Sequence, residues 1–137
     1  MSDAAHRSWR TMRALVLDHD RRKEVCDALD MSFVRIKALL ALAEEPMTMR
    51  ELATRLSTDR PYTTLIVDDL EAREMVIRTV HLTDRRAKIV ALTPIGHDTA
   101  RRAEQLLNQP PAALGELRAE QLLILDGIMA QITSKQG

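Results

Sequence analysis

TMRELATRLSTDRPYTTLIVDDLEAREMVIRTVHLTDRRAKIVALT, residues 48–93, is the stretch that decides how this chain is read. Thr48 and Glu51 stand three apart, the spacing at which a threonine hydroxyl and a glutamate carboxylate satisfy each other's orphan amides at a helix start. A short helix over Met49–Leu56 follows, with Leu52, Ala53 and Leu56 inward. Asp59 or Thr58 then caps a second helix that tolerates Pro61 in its first turn. Thr63, Ile66, Val67 and Leu70 form its inward stripe; Arg60, Tyr62, Thr64, Leu65, Asp68 and Asp69 face out. Val76–Leu82 and Lys88–Leu92 are β-branched or alternating, as hairpin strands are, and between them lies the basic tip Thr83-Asp84-Arg85-Arg86-Ala87-Lys88. Two helices followed by a basic hairpin make a helix-turn-helix with a wing, an arrangement that reads double-stranded DNA.

Outward from that stretch, the chain reads as mainly helical. Ala4–Lys23 carries Trp9, Met12, Leu15 and Val16 near helical spacing among balanced charges, which predicts one amphipathic helix. Met31-Ser32 opens another, with Ser32 as N-cap, an apolar face of Phe33, Ile36, Leu39, Leu40 and Leu42, and Pro46 beyond its end. Thr93-Pro94 restarts a helix to about Leu107, broken by Gln109-Pro110-Pro111. Leu117–Ile132 is the last, with Leu122, Leu125, Ile128, Met129 and Ile132 on one face. The terminal helices, about 4–24 and 94–133, are too apolar to stand alone beside a small lobe of about 31–93. They are expected to pair with a second copy of the chain, so that residues 1–137 form one domain within a homodimer.

Composition narrows the function. The chain has 137 residues, twenty basic and twenty acidic side chains, and a single cysteine, Cys26. That length buries a core without disulfides or metals, and one cysteine fits a reducing cytoplasm. No apolar run approaches a membrane span. Aromatic residues are only Trp9, Phe33 and Tyr62, which disfavours the stacking platforms of single-strand binders. Net charge is zero, but residues 73–102 hold seven basic against three acidic residues, a local +4, whereas residues 59–72 sum to −3. The wing, and not the helix before it, is therefore the electrostatic anchor. All four glycines lie at or beyond Gly96, so no glycine-rich phosphate loop exists. There is no His-Glu-x-x-His, nucleophile elbow or metal-ligand spacing among His6, His19, His81 and His97. An enzyme is not expected, nor any cofactor.

With these residues in view, the chain resembles the multiple-antibiotic-resistance regulator (MarR) family of winged-helix regulators. Met31-Ser32 through Leu42 is similar to the family's opening of its second helix. Pro46-Met47-Thr48 with Glu51-Leu52-Ala53 is similar to its Pro-Leu-Thr…Glu-Leu-Ala. Asp84-x-Arg86, then Leu92-Thr93 and Pro94-x-Gly96, resembles its wing signature. The resemblance implies a dimer built from the terminal helices, residues 59–73 in the major groove, Arg86 in the adjacent minor groove with Asp84 bracing the wing, and a small-molecule or redox signal. Two departures stand out. Glu74 occupies the turn where the family usually has glycine, which implies strain or a different helix exit. Leu65 and Asp69 stand where many members carry arginine, so phosphate anchoring by this helix is weaker and base reading leans on Arg60, Tyr62, Thr64 and a thymine-methyl contact from Leu65.

The expected DNA-contacting set is accordingly Arg60, Tyr62, Thr63, Thr64, Leu65, Arg73, Asp84, Arg85, Arg86 and Lys88. His19, Arg35 and His97 are candidates for lining an effector pocket. Cys26, with Arg22 and Lys23 beside it to favour a thiolate, is the candidate for redox sensing, although a passive small side chain is the simpler role. The reading is a cytoplasmic, dimeric transcriptional repressor of a pseudo-palindromic operator, released by a small molecule. Its rivals are a winged-helix module that binds protein, for which the acidic helix is the best argument, and a cysteine-based redox regulator.

Overall fold

Eleven elements follow one another in the computed structural model, which describes residues 1–135; Gln136 and Gly137, the end of the expected 1–137 domain, lie outside the described residues. They are α1 (Asp3–Asp18), α2 (Arg22–Leu29), α3 (Phe33–Glu44), β1 (Met47–Thr48), α4 (Met49–Leu56), α5 (Arg60–Ala72), β2 (Val76–Val80), β3 (Lys88–Leu92), α6 (Pro94–Leu107), α7 (Ala112–Gly115) and α8 (Ala119–Ser134). The protein is mainly α with a small antiparallel sheet, a winged helix-turn-helix lobe flanked by terminal helices.

Local chemistry sets most of the boundaries. Thr48 and Glu51 form the reciprocal cap, with Glu51 N–H donating to Thr48 Oγ1 at 3.1 Å and Thr48 N–H to Glu51 Oε1 at 3.3 Å. Asp59 caps α5 by accepting the Tyr62 N–H at 2.8 Å. Thr93 caps α6 by accepting the Gly96 N–H at 3.0 Å, with Pro94 behind it. Ser32 occupies the N-cap of α3, yet its hydroxyl accepts from Arg35 Nη1 at 2.8 Å instead of capping the helix.

The expected single helix over residues 4–23 is divided. The Asp20 carboxylate accepts the Arg22 N–H at 2.9 Å, a local side-chain bond that offers the backbone an alternative to the helical ladder. Helix α1 ends at Asp18, and α2 restarts the chain in time for Val25 to be fully buried. Cys26 thus lies within α2. A short strand is also present that the sequence pattern did not single out: Met47 and Thr48 pair with Val90 and Ile89, giving a sheet of order β1-β3-β2. Leu82 falls outside the second strand, which ends at Val80 opposite Lys88.

The core lies under the helix-turn-helix. Ile36, Leu39 and Leu42 of α3, Leu52 of α4, Ile66, Val67 and Leu70 of α5, and Val76 and Val90 of the sheet are buried together with Val25. At about 25 cal/mol per Å² of apolar surface removed from water, this one cluster holds α4, α5 and the wing root as a unit. Helices α1 and α8, by contrast, bury none of their residues. Trp9 is 66% exposed, Leu123 72% and Ile124 63%.

Helix α5 leaves through a left-handed residue, as expected for that turn, but with a glutamate performing it. Glu74 has φ 62°; its N–H donates to Glu71 O at 2.9 Å and the Met75 N–H to Leu70 O at 2.9 Å. Those two bonds are the paired closure of a Schellman turn. Thr93 clamps the turn to α6, donating from its hydroxyl to Glu74 O at 2.6 Å and from its N–H to Met75 O at 3.0 Å. The approach is so close that a Cβ on Gly96 would lie 2.0 Å from Met75 O, so glycine is obligatory there.

Candidate nucleic-acid interface

Helix α5 presents two unlike faces because its residues alternate with helical period. Thr63, Ile66, Val67 and Leu70 are buried, whereas Arg60, Tyr62 and Leu65 are exposed and Thr64 is half-buried. Thr63 is therefore a correction to the expected DNA-contacting set. It is fully buried, and its hydroxyl donates to Asp59 O at 2.7 Å and meets Thr58 Oγ1 at 2.6 Å. Thr63 locks the first turn of α5 onto the preceding turn and does not reach a base. The Thr64 hydroxyl rests on Arg60 O at 3.0 Å and must rotate to meet DNA.

Arg73 is a second correction. Its guanidinium donates to Asp69 Oδ2 at 3.0 Å and to Asp30 O at 2.8 Å, so it braces α5 internally. Arg78, at the root of the wing, is held by Asp68 and lies 3.7 Å from Glu71 Oε2. Arg101 pairs with Asp98. The local excess of positive charge is thus smaller than a count of residues implies: within residues 73–102, and among the described residues, Arg85, Arg86 and Lys88 at the tip and Arg102 on α6 form no ion pair, nor does Arg60 at the start of α5.

The tip has its own scaffold. Asp84 Oδ1 accepts the Arg86 N–H at 3.1 Å, and Asp84 O accepts the Ala87 N–H at 3.1 Å. This turn leaves the Arg85 and Arg86 side chains in solvent. His81, which the sequence offered only as a histidine without a metal partner, contributes from the other side. Its Nδ1 accepts the N–H groups of Thr83 at 3.2 Å and Asp84 at 3.1 Å, a local cap with no sequence signature of its own.

The three effector-pocket candidates are not brought together. His97 lines a groove of about 530 Å³ between α3 and α6, with Leu40, Ala43, Glu44, Ala100, Arg101 and Glu104. Arg35 is instead bound to Asp69 Oδ2 at 2.8 Å, and His19 sits at the C-cap of α1; neither lines that groove. The cations expected to favour a Cys26 thiolate are engaged elsewhere. Arg22 lies over the Phe33 ring at 5.0 Å and pairs with Asp20 at 3.6 Å. Lys23 bonds Asp27 at 2.9 Å, a contact that raises the ammonium pKa above the usual lysine value. Cys26 is half-buried against the core. Among the described residues no three histidine, cysteine or acidic side chains are grouped to hold a metal, and no helix is long and apolar enough to cross a membrane.

Comparison with known proteins agrees with this architecture. A family-wide profile described as MarR family matches residues 29–87. No curated protein sequence matches significantly. Among solved structures, the transcriptional regulator BldR from Sulfolobus solfataricus is 28% identical, with 96% of this chain and 99% of that one covered at TM-score 0.62. The transcriptional repressor CouR, bound to a 23-mer DNA duplex, is 27% identical over 92% of this chain and 91% of its own, at TM-score 0.63. Wild-type MarR from E. coli, in its apo form, is 24% identical over 90% and 94%, at TM-score 0.68. With its capped helix-turn-helix and its Asp-x-Arg wing, the chain matches the MarR family profile across its reading lobe and shares, along nearly its whole length, the fold of MarR-family winged-helix transcriptional regulators, which are not enzymes.

Proposed function

We propose that this DNA-binding regulator is a homodimeric repressor that holds a pseudo-palindromic operator and is released by a small molecule. The observation that carries the reading is the pairing of an exposed α5 face with an ordered wing tip. Arg60, Tyr62, Thr64 and Leu65 stand toward the major groove, and Arg86 projects unpaired from the Asp84 turn toward the minor groove, whose negative potential favours a guanidinium. Arg85 and Lys88 take phosphates. Leu65, 57% exposed, suits the thymine methyl group.

Dimerisation is supported by the apolar faces of α1 and α8. Leu123, Ile124, Ile128, Met129 and Ile132 are all exposed on α8, a concentration that a soluble monomer does not leave in water. Two-fold pairing sets the recognition helices about 34 Å apart, one turn of DNA. Effector release is supported by the groove around His97, which lies where α3 of the reading lobe meets α6. A cytoplasmic location follows from access to the chromosome.

Selection of genomic fragments by the purified protein at two salt concentrations tests this. Enrichment of an inverted repeat with half-sites one turn apart, lost at high salt through counterion release, is the expected result. A protein-binding winged helix would enrich nothing and would hold its partner with little dependence on salt.

A further inference from the structure

We propose that Asp69 is a positioning residue: through Arg35 and Arg73 it fixes the angle of α5 against α2 and α3, and so determines discrimination between operator and nonspecific DNA. The inference rests on the DNA-reading role of α5. A single carboxylate oxygen, Asp69 Oδ2, accepts from Arg35 Nε at 2.8 Å and from Arg73 Nε at 3.0 Å. Each arginine is anchored again at its far end, Arg35 Nη1 on Ser32 Oγ at 2.8 Å and Arg73 Nη1 on Asp30 O at 2.8 Å. Asp30 is the left-handed C-cap of α2, with φ 51°, a conformation that turns its carbonyl to the guanidinium. One oxygen thereby ties together the end of α2, the start of α3 and the last turn of α5.

The arrangement is set apart from ordinary surface pairing by its partial burial and its connectivity. The side chains of Arg35, Arg73 and Asp69 are 19%, 33% and 35% exposed, and the bonds form a chain and not an isolated pair. An acid on the outward side of a recognition helix repels phosphate, so its presence requires a compensating role. Flanked by two arginines it leaves a local charge of +1, and its negative charge is directed inward. The clamp also acts with leverage. Arg60 lies nine residues from Asp69, about 13.5 Å along the axis, so a tilt of about 5° at the clamp displaces the base-reading end by about 1 Å. Phosphate contacts on flexible side chains absorb that shift, whereas base contacts with narrow geometry do not.

The test uses Asp69→Asn, Arg35→Gln and the double variant in the full chain, with two readouts. Amide hydrogen exchange over residues 66–73 is expected to quicken about tenfold in each single variant while α8 is unchanged. Affinity for the selected operator is expected to fall about tenfold, with affinity for a scrambled duplex unchanged or higher, and the double variant is expected to lie within about threefold of either single one. Simple charge repulsion makes the opposite demand: Asp69→Asn would then bind every duplex more tightly, with exchange unaltered, and that result would overturn the proposal. Additive losses in the double variant would overturn it as well. Were the wild-type protein to bind no duplex, the DNA reading would fail on its own, while exchange would still decide whether Asp69 holds α5.

Discussion

Replacing Glu74 with glycine should make the protein more stable. Glu74 holds φ 62°, where an L side chain meets the following carbonyl at a cost of about 1–2 kcal/mol. Its carboxylate forms no ion pair among the described residues, and every bond of the turn runs through backbone atoms or Thr93, so glycine keeps them all. Against the relief stands the greater freedom of glycine in the unfolded chain, about 0.5–1 kcal/mol. The net is a gain of roughly 0.5–1 kcal/mol, or about 2–5 °C in Tm for a chain of this size. Asparagine, which tolerates the left-handed region, should fall between glycine and glutamate, and alanine should match glutamate. Urea denaturation at one fixed protein concentration measures this, with an unchanged m-value required for the comparison. A loss of stability in Glu74→Gly, or an alanine variant as stable as the glycine one, would refute the assignment of strain to this residue.

Arg86→Ala should cost about 1–3 kcal/mol of operator affinity and reduce the salt slope by about one; equal titrations of variant and wild type would remove Arg86 from the minor groove. Thr63→Val should lower folding stability by about 1–2 kcal/mol by stranding Thr58 and Asp59, while the ratio of operator to nonspecific binding stays as it was once both proteins are folded. In Gly96→Ala the added carbon collides with Met75 O, and a destabilisation of at least about 2 kcal/mol is expected by thermal melting; a neutral result would mean that α6 starts elsewhere. Ile128→Glu places a charge on the exposed apolar face of α8 and should yield a folded monomer by light scattering, with operator affinity reduced at least tenfold; a persisting dimer would move the interface away from α8.

Much of the lobe was legible because its signals are local. Thr48, Asp59 and Thr93 announce helix starts through bonds that span three residues, and the stripe Thr63, Ile66, Val67, Leu70 announces its own burial. The same stripe already placed Thr63 inside; a polar side chain on the reading helix invited a contact that burial forbids. Arg73 misled for a different reason. A basic residue at a helix end reads as a phosphate ligand unless its partners are known; Asp69, four residues earlier, was in view, but the Asp30 carbonyl that holds the other end of the guanidinium lies 43 residues away in sequence. Asp20 could not be weighed in advance either, since a helix-breaking side-chain bond and a solvated surface acid carry the same letter. Strand β1 escaped notice because two residues have no periodicity; only β3, forty residues later, makes Met47 and Thr48 a strand. The effector candidates Arg35, His19 and His97 were chosen by position along the chain, and proximity in space follows from helix crossing angles that position does not encode.

Strand β1 restricts how such a protein can be switched. Met47 and Thr48 join the wing at Val90 and Ile89 just before Thr48 caps α4, so the wing is stitched to the entrance of the helix-turn-helix as well as to its exit. The tip of the hairpin retains freedom of its own, but its root has none independent of α4 and α5. A ligand seated near α6 therefore has no means of folding the wing away while leaving the recognition helix in its groove. In the proposed dimer, regulation is expected to act on the separation and orientation of two stiff lobes, and half-release of a single protomer, wing out and helix in, is a state that this sheet opposes.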